Sequence, residues 1–289
     1  MCITPKWFTL GWAVFLALAG PLSPIGPTKP NGPRDGSPRQ SPSEAQQGAL
    51  PPAFWELQPA QVDAMLLPIP DSDHSRYLHL RQYFSDLRCP SRLMVEQTVP
   101  KHLGKNLMCV LPGKNAEQIL VVARYDHHWE TGSWSDAVAL PMLYNALQAQ
   151  PRQHTFVFAA LSGSAGEKEL FINLRKNNQP AVQAIVVLDW LGMGEPRFYP
   201  SNNKLLNTEA AFTARIQGIS VPINDPLSDA FSHNAVLFLA DRIPSILIHS
   251  GDSVRQVSTP AFHKDFDFVA YYLCRIDTKL VIPKTPPTH

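Results

Sequence analysis

Several features that would point to a function are missing from this 289-residue chain. It holds four cysteines and no Cys-x-x-Cys pair, so nothing suggests a zinc knuckle. Its formal net charge is +1, without the basic excess that marks a nucleic-acid partner. It has no internal repeat. It also lacks an apolar run that reaches the roughly 20 residues of a comfortable membrane span. The nearest approach is the short N-terminal stretch "WFTLGWAVFLALAG".

What is present there reads as an export signal. Lys6 precedes the apolar run, and small residues stand at Ala17 and Ala19. The expectation is a signal peptide over residues 1–20, cleaved after Ala19 or Gly20, with a short uncleaved anchor as the alternative. Either way the rest of the chain is expected to be exported, secreted or periplasmic, or held at a membrane by this segment. Cys2 falls inside it. That leaves Cys89, Cys109 and Cys274 for one disulfide and one free thiol, with the pairing open. Residues 21–52 are rich in proline with glycine, serine and glutamine, and have almost no large apolar side chains. Such a segment cannot bury a core and reads as a linker.

From residue 53 to 282 the texture is globular, with a short tail over 283–289; the overall apolar fraction is 44%. Helical stripes are expected over 74–88, 136–149, 167–177, 207–217, 233–241 and 264–280. Strands are expected over 92–98, 106–111, 118–123, 154–161, 184–189 and 244–249. The runs "QILVVA", "TFVFAAL" and "AIVVLD" are apolar throughout, as in strands covered on both faces by helices. The predicted fold class is α/β, a three-layer helix–sheet–helix sandwich with a mostly parallel central sheet. Sites in such folds lie beyond the carboxyl ends of the strands, here Asp126, Ser162 to Ala165, Asp189 and His249.

The stretches "GKNLMCVLPGKNAEQILVVARYD", "HTFVFAALSGSAGEKELF", "AIVVLDWLGMGE", "DRIPSILIHS" and "STPAFHKDFDF" follow the order and approximate spacing of a known family. Over residues 74–280 the chain resembles the zinc exopeptidases, the family of aminopeptidase Y, bacterial leucyl aminopeptidases and glutaminyl cyclases. The resemblance implies one or two zinc ions held by histidines and carboxylates, with a glutamate as general base on the metal-bound water. Matched position by position, the pattern is degenerate. Arg124 stands in place of the first ligand histidine, and Asp126 matches the aspartate that supports it. Asp136 and Asp189 match retained metal-ligand positions. Ser164 stands where the base belongs, Ala165 where a ligand glutamate belongs, and Ser258 where the late histidine belongs. Glu167 reaches the base position only with a three-residue shift. A further aspartate–histidine pair reads Asn234-Ala235, with Asp229 a little upstream.

These replacements imply a non-catalytic binding protein that needs no cofactor. Arg124 is expected to stand among Asp136 and Asp189 as the counter-charge that a metal would otherwise supply, because a guanidinium is always charged and offers five donors. One candidate partner is a peptide or protein ligand in the cleft. Two enzymatic readings compete. In the first, zinc sits in a re-wired aminopeptidase or glutaminyl cyclase site built from Asp136, Asp189 and His127, His128, His263 or Asp265. In the second, Ser-x-Ser-x-Gly is a nucleophile elbow, with Ser164 as nucleophile, Asp189 or Asp229 as the acid, and His249 or His263 as the base. Trp129 and Trp134 flank the cleft loop, as groove lining or as a hydrophobic lid.

Overall fold

The computed structural model describes residues 59–100, 104–126, 132–174, 181–220, 243–250 and 256–280. The expected signal, linker and tail, the helix at 233–241, and His127, His128, Trp129, Asp229, Asn234 and Ala235 lie outside them.

In chain order the described elements are α1 (Pro59–Leu66), α2 (Asp73–Asp86), β1 (Met94–Thr98), β2 (Lys105–Leu111), β3 (Gln118–Arg124), α3 (Gly132–Gln148), β4 (Thr155–Leu161), α4 (Gly163–Leu174), β5 (Val182–Asp189), β6 (Pro196–Tyr199), α5 (Lys204–Ile216), β7 (Ser245–Ser250) and α6 (Thr259–Lys279). The strands form one sheet in the order β1-β2-β4-β3-β5-β7-β6. Its centre, β4-β3-β5-β7, is parallel, and both margins are antiparallel. The α/β sandwich read from the sequence is therefore the fold, as a mixed sheet around a parallel middle. Two elements, α1 and β6, come in addition.

Side-chain alternation sorts the sheet residues into two cores. Ile119, Val121, Ala123, Phe156, Phe158, Val186, Leu188 and Ile248 face the larger one, roofed by α1, α2, α3, α5 and α6. Leu120, Val122, Val157, Ala159, Ile185, Val187 and Leu247 face the smaller one, which Leu170 of α4 caps. By the same alternation Arg124 and Asp189 end their strands on the α4 side, as does His249, one residue before the end of β7. Trp134 lies in the larger core. It is buried against Tyr83 and His79, and its indole N–H donates to Met65 O at 3.2 Å. It neither lines nor lids a cleft, because α1 and α2 cover it.

Cys89 and Cys109 form the disulfide, and Cys274 is free and half-buried. The bond ties the loop after α2 to β2 across a sequence separation of 20. Closing a loop of that size restrains the unfolded chain by about 3 kcal/mol. The double variant Cys89→Ala/Cys109→Ala is expected to melt roughly 5–10 °C lower in calorimetry. An unchanged melt would mean that the bond does not hold the fold.

Candidate functional site

Arg124 is the last residue of β3, paired in register with Leu161 of β4. Its guanidinium grips Asp126 as a fork, with Nε donating to Oδ1 at 2.9 Å and Nη2 to Oδ2 at 2.7 Å. Both side chains are largely buried, 15% and 5% exposed, so the pair is shielded from water. Burial works against the Arg124 charge, but Asp126, Glu167 and Asp189 outweigh it and raise its pKa. Behind the pair lies a second guanidinium. Arg76 of α2, 1% exposed, donates to Asp126 O at 2.9 Å, Tyr125 O at 3.3 Å and Pro70 O at 3.0 Å. It fixes the backbone that carries Asp126.

The expected pairing of Arg124 with Asp136 is corrected by this geometry. Asp136, on α3 and 1% exposed, turns both oxygens to backbone: Oδ2 accepts from Trp190 N–H at 2.8 Å and Oδ1 from Leu191 N–H at 2.7 Å. Burial and the neighbouring Asp189 push its carboxyl well up, against the pull of those two donors. Asp189 ends β5 beside His249 of β7 in register. It acts electrostatically on Arg124, Asp136 and Glu167, so these groups lie within range of its charge.

Glu167 reaches the site from α4. It is 3% exposed, and its Oε2 is buried without a hydrogen-bond partner. Burial pushes its carboxyl up to about 8; Arg124 pulls it down, while Asp189 and Asp126 add to the rise. The start of α4 is fitted closely to Asp126. Gly163 sits at φ +60°, and a Cβ there would come within 3.0 Å of Asp126 Oδ2. Gly166 leaves no room either, since a Cβ would meet Asn106 Oδ1 at 2.2 Å. Asn106, fully buried, accepts from Ser162 N–H and donates to Gly166 O, locking α4 against β2.

The other sequence candidates fall apart. Ser164 is exposed in the first turn of α4. The left-handed residue of this strand–helix turn is Gly163 instead, and no hydrogen bond joins Ser164 to an imidazole among the described residues. His249 is buried, its Nδ1 at 2.8 Å from Ser250 O. Ser258 is the N-cap of α6, its Oγ accepting from Ala261 N–H. Asp265 faces the larger core, where its Oδ2 accepts from Gly192 N–H at 2.5 Å and from Ser250 Oγ; burial pushes its carboxyl up to about 7. His263 is half-buried on α6.

Sequence reasoning missed Trp190 and the turn that it opens. Trp190 adopts φ 58°, a conformation that costs a bulky L-residue about 1–2 kcal/mol. The only hint in the sequence is the glycine pair in "DWLGMG".

No protein-family model matches the chain, and no curated protein matches it in sequence. Solved structures do share its fold. The LapA aminopeptidase of Legionella pneumophila is 12% identical, with 81% of this chain and 79% of that chain covered at a TM-score of 0.59. A glutaminyl cyclase from an Acidobacteriales bacterium is 14% identical over 76% of this chain and 92% of its own, at 0.59. BSAP, a zinc aminopeptidase from Bacillus subtilis, is 15% identical over 60% of this chain and 50% of its own, at 0.51, so the match spans half of that enzyme. The chain thus has the zinc-exopeptidase-like fold.

The residues that the family resemblance matches to metal ligands do not fit a zinc ion. At the position that the resemblance matches to the first ligand histidine, Arg124 is already ion-paired. Asp136 has committed both oxygens to backbone donors, Ala165 offers no ligand atom, and Ser258 caps a helix. Among the described residues no group of three or more His, Cys, Asp or Glu side chains is placed to hold a metal ion.

Proposed function

We propose that this chain is an exported, non-catalytic member of the zinc aminopeptidase and glutaminyl cyclase fold, a binding protein whose cleft takes a peptide or protein ligand. The observation that carries the reading is the fork between Arg124 and Asp126, a fixed positive charge at the position that the family resemblance matches to the first ligand histidine. A divalent cation entering there would face a guanidinium instead of an imidazole lone pair. The Cys89–Cys109 bond supports export, because such bonds persist in oxidising compartments. Among the described residues no helix is long and apolar enough to cross a membrane.

The test is metal content of protein purified without chelator, paired with zinc titration by calorimetry. The expected result is no bound zinc, no binding at micromolar concentration, and background turnover in aminopeptidase and glutaminyl cyclase assays with zinc added. One or two tightly bound zinc ions per chain would overturn the reading. One observation favours a second reading, a surviving metallopeptidase or cyclase centre: Glu167 is a buried carboxyl raised to about 8 with one oxygen unpartnered, as a general base often is. The same titration decides it.

A further inference from the structure

The chain leaving β5 presents four successive backbone N–H groups, and every one is taken. Trp190 and Leu191 donate to the two oxygens of Asp136 on α3. Gly192 donates to Asp265 on α6, and Met193 donates to Ser250 Oγ at 3.2 Å, which in turn donates to Asp265. The carbonyls are held as well. Leu191 O accepts from Ser135 Oγ at 2.7 Å, and Gly192 O accepts from Ser258 N–H at 2.9 Å. One turn is thereby tied to α3, β7 and the start of α6.

Successive amides in a turn that includes left-handed residues converge on an anion. Here the acceptors are the protein's own carboxyl groups. Glycine is required at position 192, where φ is +85° and a Cβ would meet Val257 Cγ1 at 2.8 Å. Position 190 would suit glycine too, yet it carries tryptophan at φ 58°. A strained bulky residue persists only where its surroundings over-determine it.

We infer that Asp136 and Asp265 form a two-carboxylate clasp that cross-links the end of β5 to α3 and α6, as a shared metal ion would, and holds Trp190 in left-handed backbone directly after Asp189. The comparison with a metal rests on the metal-free reading above. The clasp itself stands on the hydrogen bonds, and its test needs no zinc.

The two carboxylates are used unequally, which makes the inference sharp. Asp136 spends both oxygens on N–H donors, so Asp136→Asn turns a donor toward a donor. Asp265 spends only Oδ2, while Oδ1 is buried without a partner, so Asp265→Asn keeps the acceptor that matters.

The experiment is amide hydrogen exchange on the full chain, resolved by residue. In the parent, amides 190–193 are expected to exchange as slowly as those of β3 and β5. Asp136→Asn should speed 190 and 191 by about tenfold or more while the central strands stay protected. Adding Trp190→Gly should restore protection at 191, because glycine holds the turn without strain. Asp265→Ala should release 192 and 193, and Asp265→Asn should not. If Asp136→Asn fails to fold, the Asp265 pair and Trp190→Gly alone still decide. Fast exchange at 190–193 in the parent, uniform acceleration across the sheet, or equal release by Asn and Ala at position 265 would overturn the clasp.

Discussion

Arg124→Met is expected to lower the melting temperature by about 10 °C, and added zinc should recover part of the loss. The substitution keeps the apolar stem and removes the charge. Asp126 then loses its two-point ion pair while staying almost fully buried, although Arg76 still acts on it electrostatically, and Asp189 and Glu167 lose the Arg124 charge that acts on them. Breaking a buried pair from one side costs about 3–5 kcal/mol, which in a domain of this size corresponds to roughly 2–4 °C per kcal/mol. Arg124→Lys should fall in between, since an ammonium cannot make the two-point grip on Asp126. Thermal melts with and without zinc measure both effects. A variant that melts with the parent would show that the pair is an ornament of the surface. A loss that zinc does not touch would show that the carboxylates cannot gather around a metal even when the guanidinium is gone.

The parts of this molecule that could be read ahead of the structure were those written in local periodicity. The runs that became β3, β4 and β5 are apolar on both faces because both faces are covered, and no helix pattern competes with them. α3 starts four residues before its expected first residue, Asp136, since Gly132, Ser133 and Trp134 carry no apolar stripe and the helix is held there by burial of Trp134 under α1 and α2. β6 is four residues long and begins with proline, and α1 buries only Val62 and Leu66, so neither gives a period to find. At the site, Arg124 was recognisable from its place in the motif, but its partner was not. A signal existed: residues two apart on an extended chain face the same way, which favours Asp126 over Asp136. The clasp left no such trace. It joins side chains on α3, β7 and α6 to backbone amides, and backbone amides look alike in every sequence.

A stability profile that falls as pH rises, and flattens in Glu167→Gln, is the second large effect expected. In the unfolded chain this carboxyl titrates near its ordinary 4.5; in the folded protein burial raises it to about 8. Between those values the folded chain holds a proton that the unfolded chain has released, so stability declines with each step in pH. It is full below about 4.5, where both states are protonated, and the loss is complete above about 8. Asp265, raised from 3.8 to about 7, adds a decline of the same sign at slightly lower pH. The Glu167 difference, 8 − 4.5 = 3.5, bounds the effect at roughly 5 kcal/mol; relaxation around the ionised group brings the expectation to about 2–3 kcal/mol. Glutamine keeps the shape and stays neutral. At pH 9 Glu167→Gln should therefore melt above the parent by roughly 5–10 °C, and at pH 5 the two should coincide. Paired with Arg124→Met the contrast should widen, because losing the guanidinium removes a neighbour that favours the ionised form. A Gln variant less stable than the parent at pH 9 would mean that ionised Glu167 is bound by something that holds its charge, and the metal-bearing reading of this site would return.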